Sequence, residues 1–244
     1  MKGSAHDSEA SVATVLAWLK KRSSVANRKG MARYGLPSDN ALGVSVADIR
    51  ILAKQVGRNH ELALALWETG VYEARMLTSF IAEPDRVTPA QMDRWCRDFD
   101  SWGICDALCF HLFDRTPHAW KKIEKWSGAR AEFVKRAAFA LLASVALHDK
   151  KASDAPFLES FRLIERAATD NRNFVKKAVS WAVRGIGKRN PKLNAAAVKL
   201  ARSLSQSPDS SSRWIGRDAL RDLGTPATNR RLERHSAGAT AKAK

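Results

Sequence analysis

Phe133-Val134-Lys135-Arg136-Ala137 returns 41 residues later as Phe174-Val175-Lys176-Lys177-Ala178. A looser third copy, Trp214-Ile215-Gly216-Arg217, follows after a further 40 residues. The interval lies in the ~40–47-residue range of HEAT and armadillo arrays. Chance likeness between amphipathic helices is the competing explanation, but the constant interval favours stacked helical repeats. A repeat of this kind cannot bury its apolar side alone. It stacks on its neighbours into a curved array, with one helix per repeat lining a concave surface.

Outward from this stretch the chain reads as helix nearly throughout. It is rich in Ala and Leu, holds only 2 Tyr in 244 residues, and shows no run of period-two alternation. Helix boundaries are marked by proline. Thr88-Pro89-Ala90-Gln91 has the form of a capping box with Pro at the first helical position, and Ser45-Val46-Ala47-Asp48 is a weaker signal of the same kind. Thr116-Pro117 and Ser207-Pro208-Asp209 look like further starts, and Asn190-Pro191 ends one helix and opens the next. Residues 28–40, with Gly30, Gly35 and Pro37, read as a break between helices. The expected fold is all-α: a HEAT-like helical repeat superhelix (α-solenoid) with a concave basic face. One domain over residues 9–224 is expected, between a flexible N-terminus (1–8) and a basic, disordered tail (225–244).

Charge narrows the partner class. Forty-two Lys and Arg against 25 Asp and Glu leave a formal charge of +17, with a pI near 10.2. Hydrophobic residues make up 45%, which excludes a disordered chain. No stretch approaches the ~18 apolar residues of a membrane span, and the first residues lead into no signal-peptide core, so a cytosolic protein is expected. Nucleic acid is the first candidate partner, because a duplex presents a charge every ~1.7 Å; anionic membrane surfaces and acidic proteins follow. No protein partner is required for an array of this kind, and a monomer is expected. Cys96, Cys105 and Cys109 are too few and odd in number for a disulfide scaffold. Cys105 and Cys109 lack two further zinc ligands nearby, and His60, His111, His118 and His148 are scattered. No metal and no cofactor is expected. A phosphate-binding loop, a dinucleotide fingerprint and a nucleophile elbow are all missing from the sequence.

Three helix faces carry the candidate chemistry. In the Phe174–Lys188 helix, Val175, Ala178, Val179, Ala182 and Ile186 form the core stripe. Lys177, Trp181, Arg184 and Lys188 form a second stripe pointing largely away from it. A Trp among three cations suits a stacking or cation–π surface, or else packs against the neighbouring helix pair. One repeat earlier, Arg136 occupies the place of Lys177, with the small Ala140 and Ala143 leaving room beside it. Arg217 holds this place in the third copy. Arg136, Lys177 and Arg217, extended by Arg213 and Arg221, form a ladder of cations able to track phosphates, or a solvated charged face. Third, Trp102 and Asp106 share a face of a helix that is otherwise apolar nearly all round. Asp106 is stabilised by the helix dipole, paired with an Arg such as Arg136, or used in chemistry.

Taken in order, Asp100-Ser101-Trp102 with Asp106, Phe133-Val134-Lys135-Arg136, and Asn173-Phe174-Val175-Lys176-Lys177-Ala178 through Trp181 resemble the AlkD-type DNA alkylation repair glycosylases, which are built of HEAT-like repeats. Leu42-Gly43-Val44-Ser45 and His60-Glu61-Leu62-Ala63-Leu64-Ala65-Leu66-Trp67 resemble the N-terminal part of that family, and the likeness spans roughly residues 10–225. The resemblance implies excision of N3- and N7-alkylated purines from duplex DNA without strand cleavage. It places Trp102, Asp106 and Trp181 as catalytic residues and Arg136 as a contact to backbone phosphate. Lys177, Arg184, Lys188, Arg213 and Arg217 join Arg136 as expected DNA contacts. Gly103 stands where relatives often carry Asp. Competing expectations are a non-catalytic DNA-binding relative and a protein-binding solenoid.

Overall fold

The computed structural model describes residues 10–36 and 38–233. Among these residues there is no strand. They form two compact units, one ending at Val87 and the other starting at Thr88, where a single domain over 9–224 is expected from the sequence. The first unit contains α1 (Val12–Lys21), α2 (Val25–Met31), α3 (Val46–Val56), α4 (His60–Glu68) and α5 (Tyr72–Ile81). Its 40–44 loop is held by Glu73, a buried carboxylate that accepts from the backbone N–H groups of Leu42, Gly43 and Val44 at 2.7–3.2 Å. Gly43 sits at φ +78°, and a Cβ there would meet the Ser24 carbonyl oxygen at 2.2 Å, so only glycine fits.

The second unit contains α6 (Pro89–Arg97), α7 (Trp102–His111), α8 (Ala119–Ser127), α9 (Glu132–His148), α10 (Ala155–Ala167), α11 (Asn173–Gly187), α12 (Pro191–Ser205) and α13 (Ser210–Leu223). Helices α7, α9, α11 and α13 pack side by side in chain order. Helices α8, α10 and α12 form a second layer, each against the helix that follows it. The repeat seen in the sequence is a physical contact: Phe133 and Phe174, equivalent positions of successive copies, have ring centroids 5.4 Å apart.

Local chemistry sets most of the boundaries. Ser45, Thr88 and Asn190 each accept a hydrogen bond from the N–H three residues on, at 2.9–3.1 Å. At Thr88 the reciprocal arm of a capping box is not formed, and Gln91 Nε2 is buried without a partner. Asp209 caps α13 in place of Ser207. Thr116 does not open a helix; its hydroxyl donates to the Phe113 carbonyl, closing the short 3-10 turn Phe113–Arg115, and α8 begins at Ala119. The break expected over 28–40 starts later, because α2 runs to Met31 and a 3-10 turn continues to Tyr34 before Gly35. Beyond Gly224 the chain is helical again over 226–233, where a disordered tail is expected; the Thr225 and Thr228 hydroxyls both donate to the Asp222 carbonyl and Thr228 is buried. Residues 1–8 and 234–244 lie outside the described residues, as does Pro37.

Helix α9 is the spine of this unit. Every residue from Arg136 to Ala146 is buried, because α7, α8 and α11 pack around it. The sequence suggests open space beside Ala140 and Ala143, but both are buried, and α11 packs against Ala143. A Cβ on Gly185 of α11 would lie 3.3 Å from the Cα of Ala143, so the small side chains serve close approach of two backbones. The expected α11 stripe of Val175, Ala178, Val179, Ala182 and Ile186 is fully buried.

Helix α6 is tied to α8 through Asp93, which accepts from Lys122 (2.8 Å), Lys125 (2.6 Å) and Trp126 Nε1 (2.9 Å). Burial alone raises the pKa of this carboxyl, but the combined hydrogen bonds from Lys122, Lys125 and Trp126 outweigh burial and hold it down to about 2. A depressed carboxylate pKa contributes stability that is complete above the ordinary value near 3.8 and lost as pH falls through about 2. Urea titrations of Asp93→Asn should therefore show a destabilisation at pH 7 that shrinks between about pH 4 and pH 2.

Candidate functional site

Helix α7 is apolar at almost every position, and its residues Gly103, Ile104, Cys105, Ala107, Leu108 and Cys109 are buried. The positions left partly open are Trp102, Asp106, Phe110 and His111. Three of these, Trp102, Asp106 and Phe110, recur every four residues and form a single stripe of aromatic, carboxylate and aromatic. Gly103 points inward with the buried set, so the position after Trp102 is not part of this stripe.

The carboxylate is held by one residue. Arg136 of α9 donates from Nε to Asp106 Oδ1 at 2.9 Å and from Nη2 to Oδ2 at 2.7 Å. Its remaining terminal nitrogen, Nη1, donates to the carbonyl of Phe174 in α11 at 2.7 Å. One guanidinium thus joins three successive helices of the layer. The Arg136 side chain is 7% exposed and that of Asp106 is 22% exposed, so the pair opens to solvent on the carboxylate side. Burial pushes the Asp106 carboxyl above the usual range, and Arg136 offsets part of that push. The bidentate fork is the strongest geometry available to such a pair.

This changes the place of Arg136 among the cations. It is not the first rung of a solvent-facing ladder with Lys177 and Arg217; it is buried and all three of its bonds go to protein. The alternative that the sequence leaves open, Arg136 as partner of Asp106, is the arrangement found. Arg184 and Lys188 bridge from α11 to Asp218 and Asp222 of α13, the first at 3.7 Å. Arg213 donates to the carbonyls of Ser207 and Pro208 in the loop before α13. Lys177 and Arg217 are exposed and make no ion pair among the described residues. Arg221, also exposed, pairs with Asp218. The adjacent Lys176 lies 5.3 Å from the ring centroid of Trp214, a surface aromatic that is 36% exposed.

Trp181 is half-buried. Its ring stacks on Phe110 with centroids 6.5 Å apart and planes at 22°, so it reaches back to the α7 stripe, one turn from Asp106. Phe110 is the residue that sequence reasoning missed. In an apolar run it looks like core; the available signal was its spacing, four residues beyond Asp106 and eight beyond Trp102. Cys105 and Cys109 face α9, their thiols near the carbonyls of Phe133 and Ala137. Burial raises the pKa of both Cys96 and Cys109, which keeps these thiols protonated and unreactive. Among the described residues no group of three or more His, Cys, Asp or Glu is placed to hold a metal ion, and no helix is long and apolar enough to cross a membrane.

A family model described as "DNA alkylation repair enzyme" matches residues 15–223. Among solved structures, one described as a new family of proteins related to the HEAT-like repeat DNA glycosylases, with affinity for branched DNA structures, superposes with a TM-score of 0.74 at 19% identity. The match covers 87% of this chain and 95% of that one. This likeness identifies the fold as a HEAT-like α-solenoid. A designed armadillo repeat protein in complex with a (KR)4 peptide matches at a TM-score of 0.34 and 14% identity over 78% and 81% of the two chains, too slight a likeness to bear on fold or function. No curated protein matches significantly.

Arg136→Ala should destabilise the protein by about 3 kcal/mol or more, because it leaves the Asp106 charge uncompensated. Lys177→Ala should stay within about 0.5 kcal/mol of the parent. Denaturant unfolding of the two variants side by side checks both values.

Proposed function

The chain belongs to the DNA alkylation repair enzyme family, and on that premise we propose that it is a DNA glycosylase. It excises cationic N3- and N7-alkylated purines from duplex DNA, leaving an abasic site and an uncut strand. The observation that carries this reading is a carboxylate held in a fixed orientation at the surface of the repeat stack, with aromatic residues one turn to either side.

The chemistry suits these groups. A purine alkylated at N3 or N7 already carries a positive charge and leaves readily, so no strong general acid is needed. The barrier that remains is the growth of positive charge on the sugar. A fixed carboxylate stabilises that charge where it develops and orients the attacking water. Arg136 is a positioning residue in this scheme, since its bonds go to Asp106 and to the Phe174 carbonyl. Trp102 and Trp181 offer electron-rich faces to the cationic nucleotide, each worth ~0.5–2 kcal/mol. Lys177 and Arg217, exposed and without ion pairs among the described residues, are well placed to meet phosphate, and Arg184, Lys188 and Arg213 contribute through the charge they leave partly open. The protein acts as a monomer in the cytosol, without a cofactor.

A second reading is a non-catalytic DNA-binding relative. The engagement of both Asp106 oxygens by one guanidinium favours it, as does the branched-DNA affinity ascribed to the solved neighbour. One assay separates the two: incubation with methylated duplex followed by chromatography of the liberated bases. A glycosylase releases free alkylpurine, and Asp106→Asn slows release by a factor of 10²–10³, corresponding to ~3–4 kcal/mol of lost electrostatic stabilisation, with duplex affinity retained. Binding without release on any alkylated substrate establishes the second reading. In salt titrations, Lys177→Ala and Arg217→Ala should each lower the slope of log K against log salt by about 1, whereas Arg136→Ala should leave it unchanged.

A further inference from the structure

Below the α7 stripe lies a polar pair that the proposed chemistry does not use. Asp114 is in the short turn Phe113–Arg115 that follows α7, and its side chain is fully buried. His148 is the last residue of α9, with its side chain 29% exposed. Asp114 Oδ2 contacts His148 Nδ1, whereas Asp114 Oδ1 is buried without a hydrogen-bond partner. A buried carboxylate with one oxygen unsatisfied is costly, and apolar residues of similar volume would close this gap with less penalty. Stability alone therefore gives a poor account of the pair.

Its other side supplies one. The His148 ring meets Phe110 edge-to-face, with centroids 4.4 Å apart and planes at 72°. His111 flanks the same ring at 5.1 Å and 82°. Phe110 in turn stacks on Trp181. A continuous chain of contacts runs from a buried charge to the aromatic wall one turn from Asp106.

We infer that Asp114 and His148 are positioning residues for the Phe110–Trp181 stack. The buried carboxylate fixes the δ-nitrogen of the imidazole and so the ring's orientation. The ring limits the rotamer of Phe110, and Phe110 sets the plane of Trp181. Where that wall meets a lesion, the role rests on the glycosylase reading; the link between His148 and Trp181 does not.

The test separates the two. Full-length protein is labelled with 5-fluorotryptophan, and the Trp181 resonance among the eight tryptophans is assigned from Trp181→Phe. In DNA-free protein, His148→Leu and Asp114→Asn should each shift and broaden the Trp181 signal and leave the remote tryptophans in place. An unmoved Trp181 signal in folded His148→Leu overturns the inference. Should His148→Leu fail to fold, the volume-conserving Asp114→Asn decides by the same criterion. With alkylated duplex at saturating enzyme, the base-release rate in these variants should fall about 2- to 30-fold, the range set by the cation–π face of Trp181, with affinity for undamaged duplex unchanged. Loss of affinity for undamaged duplex in parallel with rate would mark a merely structural role and overturn the inference. If the parent protein releases no base, the glycosylase reading fails while the fluorine spectra still decide the role of the pair.

Discussion

One guanidinium holds together the part of the molecule where chemistry is expected. Arg136 reaches forward from α9 to a carbonyl of α11 and back to both oxygens of a carboxylate on α7. Taking two charges out of water costs several kcal/mol per ion, so such a pair is a weak source of net stability. What it supplies is placement. A carboxylate free to rotate would average over many orientations; one gripped by a planar fork has a single direction in which its open side can face. The third bond, to the Phe174 carbonyl, makes that direction depend on the spacing between successive repeats. The stacking of the array and the aim of the carboxylate are thus one constraint.

The same economy runs through the basic residues. Much of the positive charge in the second unit works between helices. Lys122 and Lys125 meet Asp93, Lys135 meets Asp170, and Arg184 and Lys188 meet Asp218 and Asp222. Arg189 binds the carbonyls of Ala146, Asp149 and Ala152 and lies over Phe157. These bonds tie loops and layers together, and among the described residues no sheet does so. Lys177 and Arg217 stay exposed and outside these bonds.

Much of this was legible in the sequence, for identifiable reasons. The 40–41-residue interval survives because equivalent positions touch, as Phe133 and Phe174 do. The α11 core stripe follows from helical spacing, and Ser45, Thr88 and Asn190 follow from the need of a helix start for an acceptor. What escaped depends on neighbours that the sequence does not place. Arg136 and Lys177 occupy the same position in successive repeats, yet one is buried and the other exposed. The difference is the acid at Asp106 on the preceding helix, and nothing in either copy's own residues encodes it. The small side chain of Ala143 reads as a vacancy and is the bed of α11. Phe110 looked like core because its neighbours along α7 are core. His148 looked isolated because its partner, Asp114, lies 34 residues away.

The sulfur chemistry of the chain has a practical corollary. Cys96, Cys105 and Cys109 are the chain's entire complement and all are buried, two of them clamped between α7 and α9. A maleimide or nitroxide reagent therefore meets a silent background in the native protein. A single cysteine introduced on the open face of α11 or α13 becomes a site-specific handle for dyes, spin labels or cross-linkers, with no need to strip the native thiols first.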